Sequence, residues 1–259
     1  MQIIIPMTGY GSRFVAAGYN DLKPFIKVEN KPILEWILHM YKNEEIIFVC
    51  RKEHLDTISG MRELLKRLSP NATIFEIEDF IKKGPVYSVL QAESVIDDNK
   101  PSIINYCDFY MTWDYEAFKK DVLSNECDGA VPCYTGFHPH LLIEKNVYAS
   151  CKTDENRYLI EIREKYGFDK DRFKTLWSPG AYYFKTGAIL KKYCKKLVES
   201  NDNINGEFYA SLPYNFMVKD GLKVWVPTKH IKYFMQWGTP RDMEESVYYL
   251  DMMKRGDIR

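Results

Sequence analysis

The chain lacks several features that would each point to a particular class of protein. It has no excess of charge, because 36 lysines plus arginines balance 36 aspartates plus glutamates in 259 residues. A protein that binds a nucleic-acid duplex usually presents a strongly basic face. The composition therefore gives no support for a nucleic-acid partner.

Long apolar runs and cysteine motifs are also lacking. No run approaches the roughly 20 apolar residues of a membrane-spanning helix, and no basic segment precedes an apolar one near residue 1. The six cysteines never form C-x-x-C, and most lie in or beside apolar runs, as small buried thiols do. We therefore expect no membrane partner, no secretion signal and no disulfide framework, which favours a cytoplasmic location.

Short apolar runs alternate with helical patterns through the first half of the chain. The patterns predict strands at 2–7, 45–50, 73–77, 102–107 and 129–134, and helices at 32–41, 55–68, 84–96 and 115–125. Strands that alternate with helices favour right-handed crossovers and a mostly parallel sheet flanked by helices. The predicted fold class is therefore α/β and Rossmann-like.

The second half is less regular, and no linker rich in glycine, proline or serine separates it from the first. Its patterns predict strands at 158–165, 181–187 and 223–227, and helices at 188–200, 207–221 and 239–256. We expect a single domain over 1–259. Residues of about 136–235 would form a smaller lobe against residues of about 1–135, and a helix would follow at about 239–256.

The segment "TGYGSRF" (8–14) directly follows the first predicted strand. Open α/β sheets bind ligands at the carboxyl ends of their strands. Glycines let a backbone approach a phosphate and expose its amides, and Arg13 adds a fixed cation. The segment on its own also fits an ordinary turn, so this pattern leaves both interpretations open.

Two nucleotide-binding motifs fit the segment poorly. The dinucleotide fingerprint requires a glycine where Phe14 stands and a helix that begins at once, whereas Gly18, Asn20 and Pro24 predict a long loop. The P-loop requires Gly-Lys-Ser/Thr, which is absent from the segment.

The longer stretch "GYGSRFVAAGYNDLKPFIKVENKPILEW" (9–36) resembles the amino-terminal signature of the nucleoside triphosphate transferases, the nucleotide-sugar pyrophosphorylase family. That signature has a glycine-rich loop with a basic residue, then Lys-Pro-Leu/Phe, then a Lys-Pro that opens a helix. Further matching segments are "GPVYSVLQA" (84–92), "INYCDF" (104–109), "IEIREKYGF" (160–168), "SPGAYYFKTG" (178–187) and "MQWGTPRDMEE" (235–245). The chain is most similar to small members of capsule and surface-polysaccharide synthesis.

The resemblance implies a GT-A-like nucleotidyltransferase fold and an activity. Such an enzyme joins an NTP to a sugar phosphate, forms a nucleotide sugar and releases pyrophosphate, with Mg²⁺ as cofactor. Its partners would be the NTP and a small phosphate-bearing acceptor, and a homodimer is left open.

The resemblance also assigns residues to the nucleotide. Arg13 and the loop amides would hold the β- and γ-phosphates, and Lys23 would bridge the α-phosphate. Gly84 would begin the helix beside the base. The loop residues are Thr8, Gly9, Tyr10, Gly11 and Ser12.

Further assignments concern the metal and the acceptor. Asp108 would coordinate Mg²⁺, and Lys165, which follows Glu164, would bind the incoming phosphate. Gly180 would lie against the acceptor, and Glu207 would bind the acceptor or the metal. Arg13, Lys23 and Asp108 would form the catalytic group.

One position departs from the family pattern. Many relatives have a second metal-binding aspartate two residues before the Gly-Thr of the last segment, where this chain has Gln236. An amide oxygen can bind Mg²⁺ but brings no charge. The second metal ligand is therefore open between Glu207 and Gln236.

Two other functions remain open. The first is a cytidylyltransferase for phosphocholine, another phospho-amine or a phosphonate, since aromatic side chains can surround a cationic amine. The tyrosines considered for this pocket are Tyr182, Tyr183, Tyr209 and Tyr214. The second is a catalytically silent nucleotide-binding subunit, supported by Gln236 alone.

Two smaller features complete the predictions. Asp114 stands before the helix predicted at 115–125, where an N-cap aspartate is favoured. His138 and His140, in "HPH", would lie on one face of a strand, as a metal pair or as structural residues.

Overall fold

In a computed structural model, which describes residues 1–142 and 148–255, the apolar runs of the sequence form the strands of a central sheet. The strands are β1 (Gln2–Met7), β2 (Lys27–Val28), β3 (Lys31–Pro32), β4 (Glu45–Arg51), β5 (Thr73–Ile77), β6 (Ser102–Asn105), β7 (Phe109–Trp113), β8 (Gly129–Ala130), β9 (Ala149–Thr153), β10 (Leu159–Glu164), β11 (Leu176–Trp177), β12 (Ala181–Phe184), β13 (Val224–Trp225) and β14 (Ile231–Gln236). The helices are α1 (Ser12–Ala16), α2 (Ile33–His39), α3 (Lys52–Thr57), α4 (Met61–Leu68), α5 (Pro85–Gln91), α6 (Tyr115–Ser124), α7 (Gly187–Glu199), α8 (Pro213–Lys219) and α9 (Pro240–Arg255). Short 3₁₀ turns occur at Lys23–Phe25, Glu93–Val95 and Pro139–Leu142.

The central sheet has seven strands in the order β13-β8-β12-β6-β1-β4-β5. β1 pairs in parallel with β4 and β6, and β4 pairs in parallel with β5, whereas β12 runs antiparallel to β6 and β8. This arrangement confirms the predicted fold class, a mostly parallel sheet with flanking helices.

The core lies on both faces of this sheet. Ile3 and Ile5 of β1 pack into one apolar cluster, whereas Ile4 between them packs into another. Successive side chains of a strand point to opposite faces, so a strand covered on both sides is apolar at every position. This is why "III" in β1 is one continuous run.

Smaller sheets lie beside the central one. They are the antiparallel sheet β10-β9-β11, the ribbon of β7 with β14, and the hairpin of β2 with β3. The sequence patterns predicted neither β7 nor β14. Burial alternates along β7, where Phe109 and Met111 are buried, but the buried residues of β14, Phe234 and Met235, are adjacent, so β14 lacks a two-residue period.

Three predicted helices differ in the structure. The helix predicted at 84–96 ends as α5 at Gln91 and is followed by the 3₁₀ turn Glu93–Val95. The helix predicted at 55–68 is divided into α3 and α4, because Gly60 adopts the left-handed φ of 74° between them. In the helix predicted at 207–221, only α8 is helical. Residues 207–209 before it are not helical and bond to another segment: the Phe208 amide donates to the Lys83 carbonyl at 2.8 Å, and the Phe208 carbonyl accepts from the Val86 amide at 3.1 Å.

The two smaller predictions had different outcomes. The Asp114 carboxylate accepts a hydrogen bond from the Ala117 amide at 3.0 Å, which confirms the cap of α6. The strand predicted for "HPH" is wrong, since His140 lies in a 3₁₀ turn. Both imidazoles are buried, and His140 Nε2 is 2.9 Å from the Tyr134 hydroxyl.

Within the described ranges, no helix has the length and apolar character needed to cross a membrane.

Candidate functional site

A cleft of about 510 Å³ opens at the carboxyl ends of β1 and β6. Its lining includes most of the residues proposed from the sequence: Thr8, Gly9, Tyr10, Gly11, Ser12, Arg13, Lys23, Gly84, Asp108 and Glu207. Phe80, Lys82, Tyr106, Cys107 and Tyr209 also line it. The residues surround one cavity although 199 positions separate Thr8 from Glu207.

Another cavity, of about 380 Å³, lies between the end of α2 and β7. Its described lining contains none of the proposed site residues. The 510 Å³ cleft is therefore the candidate site.

The loop after β1 forms the open border of the cleft. A Cβ added at Gly9 would meet no atom within 4 Å, so the backbone there is accessible to a ligand. The Thr8 hydroxyl, 2.8 Å from that of Ser88, connects the start of the loop to α5. Exposed backbone amides beside the exposed Arg13 suit a polyanion.

The prediction of a long loop after Gly11 is wrong for the first residues of that segment, because they form α1, which begins at Ser12. Gly11 caps this helix with the left-handed φ of 62°. The helix is only five residues long, and Phe14 is buried in the core where the dinucleotide fingerprint has glycine. The segment is therefore not a dinucleotide fingerprint.

Lys23 and Asp108 meet in the cleft. Lys23 Nζ donates to Asp108 Oδ2 at 2.9 Å and to the Gly238 carbonyl at 3.3 Å. The side chains are 17% and 31% exposed, so the pair is partly shielded yet open to a ligand. The ammonium can neutralise a phosphate oxygen, and the carboxylate can bind a divalent cation.

The two candidates for the second metal ligand, Gln236 and Glu207, have different surroundings. A Cβ at Gly238 would collide with the Gln236 amide and lie 3.8 Å from Asp108 Oδ2, so Gln236 lies near the carboxylate. Glu207 already accepts from Lys82 Nζ at 3.1 Å and from the Tyr209 hydroxyl at 3.2 Å. In the described part of the chain, no group of three or more His, Cys, Asp or Glu residues could hold a metal.

A site with one charged ligand still fits Mg²⁺. This ion retains several waters and commonly binds through one or two carboxylates together with the phosphate oxygens of a substrate. The carboxylate of Asp108 meets that requirement.

The opposite border of the cleft is tightly packed. Gly84, with φ 87° and ψ 176°, begins α5, and a Cβ there would lie 2.7 Å from the Phe208 amide nitrogen. Gly180 has φ 108°, and its Cβ would lie 3.1 Å from the rings of Tyr106 and Phe109. Gly180 thus lies behind the cleft wall formed by Tyr106 and is not among the lining residues.

Lys165 and Glu164 lie beside this packed border. Lys165 Nζ is 5.8 Å from the centre of the Tyr209 ring, although Lys165 is not among the lining residues. Glu164 accepts a hydrogen bond from the Ser211 hydroxyl. Loss of solvation raises the pKa of Glu164 to about 7, an effect that Ser211 and Lys165 partly offset.

The remaining tyrosines do not line the cleft, since Tyr182, Tyr183 and Tyr214 are at most 2% exposed and belong to the core. Cys107 does line it, but loss of solvation raises the pKa of its thiol to about 12. A thiol at neutral pH is a poor nucleophile, so a covalent role for Cys107 is disfavoured. Its place in "INYCDF" was the available signal for this residue.

Comparisons with known proteins identify the family and the fold of the chain. The nucleotidyl transferase family model matches residues 2–217. No curated protein matches the chain. Among solved structures, a nucleoside-diphosphate-sugar pyrophosphorylase from Vibrio cholerae is 18% identical with a TM-score of 0.73, covering 95% of this chain and 99% of its own.

Two other solved structures are similar. An inositol-1-phosphate CTP transferase from T. maritima is 17% identical with a TM-score of 0.73, over 96% of this chain and 94% of its own. A UDP-glucose pyrophosphorylase complexed with UDP-glucose is 16% identical with a TM-score of 0.71, over 96% and 98%. These likenesses show the fold, and the family model extends over most of the sequence. The chain therefore belongs to the nucleotidyl transferase family of enzymes.

Proposed function

We propose that the protein transfers a nucleotidyl group from an NTP to a sugar phosphate. An oxygen of the acceptor phosphate attacks the α-phosphorus in line, the bond from that phosphorus to the bridging oxygen breaks, and pyrophosphate leaves. The observation that carries the proposal is the pair of Lys23 and Asp108, held at 2.9 Å opposite an open glycine loop. No covalent intermediate is required, so positioning and charge neutralisation supply the catalysis.

Residues of the open border bind the triphosphate. The amides between Thr8 and Ser12, with Arg13, hold the β- and γ-phosphates. Lys23 neutralises the charge on the α-phosphate oxygens, where it increases during the attack. Gly84 lies beside the base.

Mg²⁺ is the proposed cofactor, and Asp108 is the residue that holds it, with either Gln236 or Glu207 contributing an oxygen. When bound, Mg²⁺ neutralises the triphosphate and orients it. The contact of Lys23 with Asp108 keeps both groups at the same point of the cleft.

The acceptor lies against the packed border. Glu207 and Tyr209 offer it hydrogen-bonding groups, while Lys165 attracts its phosphate. Gly180 contributes by supporting Tyr106. We further propose a single domain that acts in the cytoplasm to supply a nucleotide sugar for capsule or surface polysaccharide, with the sequence resemblance as support.

A second candidate is a cytidylyltransferase for a phospho-amine. The observation that favours it is the acceptor border itself, where the Glu207 carboxylate accepts from the Tyr209 hydroxyl and lines the same cleft as Tyr106. Carboxylates and aromatic faces are the groups that bind ammonium ions.

Thermal unfolding with ATP, CTP, GTP, UTP and dTTP, each with and without Mg²⁺, tests NTP binding. A ligand at ~100 times its Kd adds about 2.7 kcal/mol to the stability of the native state. The NTP with the largest shift is then incubated with sugar phosphates, phosphocholine and phosphoethanolamine while pyrophosphate is measured.

We expect pyrophosphate release with sugar phosphates alone. Pyrophosphate release with phosphocholine or phosphoethanolamine alone would favour the second candidate. An NTP that binds without any turnover would indicate the silent subunit. The absence of a shift with every NTP would contradict the proposal.

A further inference from the structure

Arg51 lies between two loops that border the cleft. It ends β4, whose neighbour β1 leads into the glycine loop, and it pairs with Ile77 at the end of β5. The glycine loop carries Tyr10, and the segment after β5 carries Phe80. Both aromatic rings line the cleft, whereas Arg51 is not among the lining residues and lies behind them.

The guanidinium contacts both rings. Its central carbon is 4.3 Å from the centre of the Tyr10 ring and 4.9 Å from that of Phe80. The two ring centres are 6.0 Å apart and their planes meet at 66°, so the rings contact each other edge to face and the guanidinium packs against both. A flat guanidinium can lie along one ring while its edge meets a second ring, which the point charge of a lysine cannot do.

The burial of Arg51 needs compensation. The residue is only 6% exposed. The Glu53 carboxylate pairs with one end of the guanidinium, but Nε has no hydrogen-bond partner among the described residues. A buried charge with an unpaired donor is costly. The two aromatic contacts offset part of this cost, so Arg51, Tyr10 and Phe80 depend on one another.

The loop that carries Tyr10 has little other support at this point. A Cβ added at Gly9 would meet no atom within 4 Å, and Tyr10 itself is 49% exposed. The stacking on Arg51 therefore connects the most open part of the glycine loop to the central sheet.

We propose that Arg51 is a positioning residue for the NTP: it holds Tyr10 and Phe80 as an aromatic wall for the nucleoside, and it holds the glycine loop through Tyr10. The inference rests on the proposed function. Arg51 does not contact the reacting atoms in this proposal. Its replacement therefore leaves the chemical step and the binding of the acceptor unaffected.

The first test needs no ligand. Urea unfolding of Arg51→Met, Tyr10→Ala and the double variant measures the coupling between the two residues. In the wild type, Arg51→Met removes the contact with the Tyr10 ring and lowers the folding equilibrium constant. Tyr10→Ala removes the same contact, so in that background the factor by which Arg51→Met lowers the constant should be about fivefold smaller. Additive effects would overturn the proposal.

The second test measures the Kd of the NTP that gives the largest thermal shift. Arg51→Met should raise this Kd about tenfold, and less than about twofold once Tyr10 is alanine. Arg51→Lys should rescue part of the loss. In kinetics, the KM for the NTP should rise while kcat and the KM for the acceptor stay within about twofold.

Arg62→Met is the matched control. Arg62 lies on α4, pairs with Glu76 and Asp56, and does not line the cleft. Its replacement should leave the Kd unchanged. If Arg51→Met fails to fold, Phe80→Leu with Arg51→Lys tests the same contacts from the other ring, with non-additive effects on the Kd expected.

The outcomes separate the two proposals. Coupling between Arg51 and Tyr10 with an unchanged Kd would make Arg51 purely structural and overturn the inference, while the proposed function would stand. A wild-type protein that binds no NTP would overturn the proposed function, and the positioning role with it, even if the coupling is found.

Discussion

The two borders of the cleft use the same residue type for different purposes. On the border formed by the loop after β1, a Cβ at Gly9 would meet no atom within 4 Å. On the border formed by Gly84 and residues 207–209, a Cβ at Gly84 would lie 2.7 Å from a backbone nitrogen of Phe208. Glycine keeps the first border open to a ligand, whereas it allows two segments of the second to pack together.

The borders also differ in charge. Arg13 lies on the open side, whereas the packed side carries Glu207, which is paired with Lys82, and the nearby Glu164 and Lys165. A polyanion is favoured on the first side. A ligand that combines a phosphate with hydrogen-bonding groups is favoured on the second.

The largest expected effect comes from the residues between the borders. Asp108→Asn removes the charge beside Lys23 and should lower kcat about 100- to 1,000-fold. Pyrophosphate release measures this loss, and circular dichroism checks that the variant is folded.

Asp114→Asn is the control for that change, because Asp114 caps α6 and does not line the candidate cleft. Its kcat should stay within about twofold of the wild type. If Asp108→Asn kept full turnover, the catalytic assignment would be wrong.

The next effect concerns stability and contrasts the two glycines directly. Gly84→Ala should destabilise the protein by about 2–4 kcal/mol, because φ 87° and ψ 176° suit glycine alone and the new Cβ would press on Phe208. Gly9→Ala should cost less than about 0.5 kcal/mol. Urea unfolding measures both, and equal costs would remove the distinction between the borders.

A pH-dependent effect is expected on the packed border alone. The pKa of Glu164 is about 7 in the folded protein and 4.5 as its ordinary value. Between these values the folded state binds more protons than the unfolded state, so stability falls as pH rises from about 4.5 to about 7. Glu164→Gln removes this loss.

The free energy of unfolding of the variant should therefore equal that of the wild type at pH 4 and exceed it by about 2 kcal/mol at pH 8. This figure allows for the partial exposure of Glu164. Denaturant titrations across this range measure the difference. Glu161→Gln, on the same strand but hydrogen-bonded to Arg163, provides the control. A constant difference between pH 4 and pH 8 would contradict the raised pKa.

The smallest effect is expected at the start of the open border. Thr8→Val removes the buried hydrogen bond to Ser88 and should cost about 1 kcal/mol. Adding Ser88→Ala removes the hydroxyl left unpaired, so the double variant should cost less than the sum of the single ones. Thermal unfolding measures all three, and additive costs would mean that the hydroxyls do not interact.

The sequence brought Lys23 and Asp108 into one proposed site more successfully than it predicted the elements around them. Asp108 follows β6, Lys23 begins a 3₁₀ turn after α1, and each belongs to a segment that resembles a family motif, whereas their contact is a result of the folded structure. β14 has no clear two-residue period, and the left-handed φ of Gly60 depends on the turn between α3 and α4. Such features depend on tertiary packing, which local patterns do not contain.

Packing also hid part of the site. Nothing in the sequence around Arg51 indicated that its guanidinium contacts both Tyr10 and Phe80, since the three residues lie on different segments. The split of the region predicted as a helix at 207–221 has the same origin, because Phe208 pairs with Lys83 and Val86.

The hydrogen bonds of Lys23 have a consequence for protein synthesis. Its ammonium bonds to Asp108, 85 residues later, and to the carbonyl of Gly238, 215 residues later. A nascent chain emerging from the ribosome can form β1, β4 and β5 early, but it cannot complete this triangle until residue 238 has left the exit tunnel. Chains interrupted before that point would carry the glycine loop without the completed contacts of Lys23.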